Sequence, residues 1–141
     1  MARAFTLYIA MKIWGRSLVV CLGLLCLSAA HGQQYTIQTL AGNGSAAFTG
    51  DNGAAGLAQL NSPGAVALDS KGTLYIADTG NHCIRMVSNG KITTIAGTGG
   101  TIGFSGDQAA ATAATLNAPA GLAFDSKGNL YIADTDRKSV V

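Results

Sequence analysis

The sequence predicts an all-β chain of β-propeller blades, each a four-stranded antiparallel sheet, following an N-terminal signal peptide helix. Three observations predict the blades. Residues 49–79 and 105–135 align at an offset of 56, with 19 of the 31 paired positions identical. The residues between the glycines form short apolar runs, partly β-branched or aromatic, such as Leu74-Tyr75-Ile76-Ala77 and Leu130-Tyr131-Ile132-Ala133. Such runs suit strands and are too short for helices. Third, Asn89-Gly90 separates two of them, a strong short-range hairpin signal. A fixed period of this size marks a supersecondary unit that buries its apolar face by stacking on its neighbours. Four antiparallel strands per unit point to blades rather than a solenoid.

The elements follow in order. Residues 34–40 match the fourth strand of a unit whose first three strands are lacking, since Thr39-Leu40-Ala41-Gly42 aligns with Thr94-Ile95-Ala96-Gly97. The alanine-rich pieces 54–60 and 109–116 are expected to make one or two helical turns, ended before Pro63 and Pro119. A first blade is expected over 63–96, with strands at 65–68, 74–77, 83–87 and 92–96. A partial blade over 119–141 repeats the first two, at 121–124 and 130–133. In both, Asp-Ser-Lys-Gly joins the strands, with Gly72 and Gly128 free to take positive φ. The prolines start their strands, where a missing N–H costs least.

Residues 1–32 are a different kind of sequence. The run from Leu18 to Leu27 is apolar, preceded by Lys12 and Arg16 and followed by Ser28, Ala29 and Ala30. That order is the pattern of a secretory signal peptide. Cleavage after Gly32 leaves Gln33 first, with cleavage after Ala30 as the alternative; Met11 begins a tidier leader and is the expected start of translation. The apolar run is shorter than the roughly 20 residues that span a bilayer. The expected location is therefore secreted, periplasmic or cell-surface.

Without the leader, residues 33–141 carry six basic residues against seven aspartates, a net charge of −1. That balance gives no basic footprint for nucleic acid and no basic amphipathic stretch for a membrane surface. Cys83 is the single thiol outside the leader, so no internal disulfide forms there. A small buried strand residue is the expected role.

Candidate chemistry is sparse. Gly42-x-Gly44-x-x-Ala47 fits the dinucleotide fingerprint formally, but Phe48-Thr49-Gly50-Asp51 stops the helix that the motif needs. No cofactor is expected. The aspartates come in repeat-equivalent pairs. Asp69 and Asp125 enter hairpins, and Asp78 and Asp134 follow strands, so all four are expected to cap backbone N–H groups. Asp51 and Asp107 sit in long Gly-Asp loops and are the candidate binding residues. A calcium site takes 6–8 oxygens, more than one carboxylate per loop supplies. The chain has no glutamate, and His82 adjoins Cys83, so on a strand the two point to opposite faces. His82 is expected in a turn rather than as a base, and no catalytic residue is assigned.

The segment Pro119-x-Gly121-Leu122-Ala123-Phe124-Asp125-x-x-Gly128-Asn129-Leu130-Tyr131-Ile132-Ala133-Asp134-Thr135 resembles the NHL repeat, and the first repeat continues the pattern through Asn81, Ile84 and Arg85. With the Phe-Ser/Thr-Gly-Asp loops at 48–51 and 104–107, it is similar to the long NHL variant of exported bacterial proteins and of the teneurin NHL domain. The resemblance implies blades of a six-bladed β-propeller. Pro63-Gly64-Ala65 departs from it by placing glycine one position early. Cys83 stands where the family has arginine or another polar residue, and the second repeat leaves the pattern after Thr135. Two repeats and a lone strand make an incomplete ring, so either further blades follow a truncated C-terminus or several chains complete one ring; truncation is the expectation. The resemblance implies a binding or scaffolding module for protein or glycan partners. The alternative is part of a propeller-type hydrolase or lyase, gluconolactonase-like or amidating-lyase-like, whose site lies in missing blades.

Overall fold

A computed structural model describes residues 35–135. The predicted signal peptide and residues 136–141 lie outside the described residues. The first sheet is an antiparallel meander of β1 (Ala65–Leu68), β2 (Leu74–Asp78), β3 (Cys83–Ser88) and β4 (Lys91–Ala96), in that spatial order. The second pairs β5 (Gly121–Phe124) with β6 (Leu130–Ala133). Chain and sheet order coincide because each connection within a sheet is a short turn. Asn89 and Gly90 both take positive φ, 50° and 74°, so this turn's twist matches that of the strands it joins. In the β1–β2 turn, Asp69 Oδ1 accepts the N–H groups of Lys71 (2.8 Å) and Thr73 (2.9 Å), and Gly72 takes the left-handed φ of 83°. Asp125 repeats this in the β5–β6 turn, with Lys127 and Asn129.

Strand register sorts the side chains. Ala65 lies opposite Ala77, Ala67 opposite Tyr75, and Ala77 opposite Ile84, so these share one face. Val66, Leu68, Leu74, Ile76 and Arg85 share the other. The first face meets the second sheet: Ala77, Ile84, Ala96 and Leu116 are buried together, with Leu122, Leu130 and Ile132 packed against them. The edge of the Tyr75 ring meets Phe124 at 4.8 Å between centroids. Part of the second face is covered by the connector before β1, whose Ala55 and Ala58 are buried with Ile92. Alanine suits this position because backbone and sheet approach closely there. A β-bulge between Ile84 and Arg85 shifts the β3–β4 register.

The alanine-rich pieces stop at the shorter end of the expected one or two turns, and one expected strand differs. The pieces form single 3₁₀ turns, Ala55–Leu57 and Ala111–Ala113. The carbonyls that would extend a helix are taken elsewhere: Ala55 O and Ala58 O accept the N–H groups of Gly42 and Asn43, and Ala111 O accepts that of Gly97. No strand forms over 35–40, and Tyr35, Ile37 and Leu40 are exposed. Ile92, the repeat counterpart of Ile37, is fully buried in β4. The difference is pairing: β4 has β3 beside it, whereas residues 35–40 have no neighbouring strand among the described residues.

Candidate functional site

A buried ionic cluster lies at the end of the first sheet that carries the β2–β3 turn and the connectors between sheets. Arg85 projects from β3 onto the connector-covered face and is fully buried. One guanidinium nitrogen donates to Asp78 Oδ2 at 3.3 Å. The second terminal nitrogen donates to Asp51 Oδ1 at 2.8 Å and to the Thr49 carbonyl at 3.0 Å, while the buried Nε has no hydrogen-bond partner. The Phe48 ring lies 4.9 Å from the guanidinium carbon, a cation–π contact. Asp78, also fully buried, spends Oδ1 on the Asn61 N–H (2.7 Å) and Oδ2 on Asn81 Nδ2 (2.8 Å) as well as on Arg85. Asn81 Nδ2 also donates to the Ala47 carbonyl at 2.8 Å. The loop 47–51 is thus clamped onto β3 by a paired and hydrogen-bonded ion cluster, the condition under which buried charges are tolerated.

Asp51, expected as a candidate binding residue, is in this clamp. Its partner in the repeat, Asp107, is exposed in the equivalent loop of the second sheet. The aromatic residue of that loop, Phe104, is 76 % exposed, whereas Phe48 is half-buried. The position equivalent to Arg85 is Val141, outside the described residues. Sequence reading gave Arg85 no role beyond the repeat pattern. The available signal was a single cation at an alternating position between Ile84 and Met86, on the same face as Ile76 and Asp78.

The turn between β2 and β3 joins the two sheets. His82 takes a left-handed conformation (φ 55°), and its Nδ1 accepts the Ala118 N–H at 3.0 Å. That hydrogen bond assigns the ring proton to Nε2. Thr79 Oγ1 donates to the Pro119 carbonyl at 2.7 Å. In the second sheet, Thr135 Oγ1 donates instead to Ala118 O within its own repeat, at 2.6 Å. Cys83 follows His82 and is fully buried, as expected of a small strand residue. Burial, and next the negative charge of Asp78, push its thiol up to about 12. A thiol of that kind is almost wholly protonated at neutral pH and a poor nucleophile.

Among the described residues, no three His, Cys, Asp or Glu side chains are grouped so as to hold a metal. A groove of about 650 Å³ is lined by residues including Gly42, Asn43, Leu60, Ser62 and Pro63.

Comparison with known proteins bears on this architecture. The family model for the NHL repeat matches residues 60–85 and 116–141. NHL repeat-containing protein 2 of Homo sapiens is 38% identical over 87 residues, which cover 59% of this chain and 12% of that protein. The Bos taurus protein of the same name matches to the same extent. The chain thus spans about an eighth of the curated relatives it matches. Among solved structures, an auxiliary nutrient binding protein from Bacteroides thetaiotaomicron superposes with a TM-score of 0.53 at 27% identity, over 67% of this chain and 25% of that one.

Proposed function

We propose that this chain, which carries two NHL repeats folded as antiparallel propeller-type sheets, is an exported binding module that takes a protein or glycan partner on its loop-bearing end. The observation that carries the reading is the Arg85 clamp. A buried guanidinium that holds loop 47–51 against β3 orders that loop in advance, and an ordered loop loses less entropy when it binds. The loop and its flanks carry the exposed hydroxyl of Ser45 and amide of Asn52, groups suited to sugar hydroxyls or a peptide backbone, while Asn43 and Thr49 bond Leu57 O and Gln59 within the chain. The auxiliary nutrient binding protein supports binding rather than chemistry as the use of such a scaffold. Export rests on the leader, Lys12 and Arg16 followed by the apolar run from Leu18 to Leu27. A hydrolase or lyase reading requires ligands or a base gathered in one place, and no feature of the described residues favours it.

Surface plasmon resonance against immobilised oligosaccharides and peptides tests the reading. Saturable binding that weakens at least tenfold in Asn52→Ala or Asp107→Ala, with unchanged circular dichroism, is the expected result. A flat response across the whole panel, or turnover of a panel member, would sink it.

A further inference from the structure

The two sheets of this chain meet through faces that the repeat presents a second time, in part exposed, at opposite ends of the pair. In the internal contact, the Ala65–Ala77–Tyr75 face of the first sheet receives Leu122, Leu130 and Ile132, and Tyr75 meets Phe124. The counterpart of the receiving face is the outer face of the second sheet, with Ala123, Tyr131 and Ala133. It is apolar and exposed, with Tyr131 at 38%, and a shallow groove runs along it from Gly121 to Ala133. The counterparts of Leu122 and Phe124 are Val66 and Leu68, 65% and 57% exposed on the far face of the first sheet. One molecule therefore carries, facing outward, counterparts of part of each half of its internal joint, while Ile76, the counterpart of Ile132, is buried, and Val140, the counterpart of Ile84, lies outside the described residues.

From this correspondence we infer that a second copy of this chain docks head to tail, its Val66 and Leu68 seated on the Ala123–Tyr131–Ala133 face of the first. Tyr131 then stands to Leu68 of the next copy as Tyr75 stands to Phe124 within the chain. The polar part of the joint has the same outward duplicates. Thr79 reaches across to the Pro119 carbonyl, whereas Thr135 turns back to Ala118; docking lets Thr135 reach Pro63 of the next copy, the counterpart of Pro119. The groove beside Gly42, Leu60, Ser62 and Pro63 is the counterpart of the place occupied in the internal joint by the Thr79–His82 turn. There, Gly97, Leu116, Ala118 and Pro119 are the equivalent residues, and Ala118 bonds His82. A contact between two different patches is heterologous, so it propagates until the rotation closes or continues.

Sedimentation velocity on the purified chain reads this directly. The expected result is an average mass above that of one chain, rising with concentration. Tyr131→Arg and Leu68→Arg each weaken association at least tenfold, because a charge enters an apolar contact. Mixing the two variants restores a 1:1 dimer that grows no further, since each retains the face that the other lacks. A chain that stays monomeric at every concentration overturns the proposal, as does association that neither variant affects. A mixture that stays monomeric also overturns it, because the contact is then between identical patches. If either variant alters the circular dichroism, Ala123→Lys and Val66→Lys replace them on the same two faces.

Discussion

Replacing Arg85 with alanine leaves the Asp78 carboxylate buried without its cation and releases Asp51 and Thr49 from β3. A broken buried pair of this kind costs about 3–5 kcal/mol, so chemical denaturation of Arg85→Ala is expected to show a loss in that range. Arg85→Lys is expected to recover little of it, because one ammonium cannot reach Asp78, Asp51 and the Thr49 carbonyl as the planar fork does. Cys83 gives a second test: native protein at neutral pH is expected to resist iodoacetamide, with full labelling on unfolding, as read by mass. The Cys83 pKa lies above its ordinary value of 9.0, so its stabilising contribution is full below that pH and fades as pH rises towards about 12. Asp69 and Asp125 run the other way. Hydrogen bonds from the Thr73 backbone to Asp69, and from the Asn129 side chain to Asp125, hold both below 3.8. Their contribution is present above that value and lost as pH falls through the lower folded values, so thermal melts are expected to be flat near neutrality and to drop in acid. The hairpin role of these two aspartates was legible because an Asx turn is local. The Asp51–Arg85 pair joins residues 34 positions apart, and no local pattern announces such a contact.

Glycines in the turns separate two costs at the scale of the element. A Cβ at Gly90 meets nothing within 4 Å, and its φ of 74° alone makes alanine unfavourable, by about 1–2 kcal/mol. A Cβ at Gly97 has the same handedness problem and also lies 2.5 Å from the His82 carbonyl and 2.9 Å from Cys83 Cα. Overpacking of that kind adds about 1–3 kcal/mol, so Gly97→Ala is expected to lower the melting temperature clearly more than Gly90→Ala. The paired strands were legible because alternation and turn chemistry agree at each of them. The segment 35–40 carries the same pattern as β4 without a strand beside it, so its sequence names a strand that its surroundings do not supply. The alanine-rich pieces keep to the shorter of the one or two turns expected. Their helical propensity is real, but neighbouring N–H groups claim the carbonyls that a second turn needs.

At the scale of the molecule, the joint between the sheets combines an apolar core with Thr79–Pro119 and His82–Ala118 hydrogen bonds. Thr79→Val removes one of these and is expected to cost about 1 kcal/mol, with faster proteolysis in the connector between β4 and β5 as the direct readout. Stacking itself was legible, because a unit with apolar residues on both faces cannot stand alone. The outcome of stacking was not, since it depends on how two faces meet rather than on what either one contains. The same joint bears on how such a chain changes length over generations. Duplicating one repeat adds a sheet that keeps much of the joint, since Ala67 and Ala123, Tyr75 and Tyr131, and Ala77 and Ala133 are identical. The substitutions needed at the new boundary are then confined to positions such as Val66/Leu122 and Leu68/Phe124. Losing one repeat likewise brings together faces that share these residues. A boundary of this kind fixes the angle between neighbours and leaves their number open to copying errors in the gene.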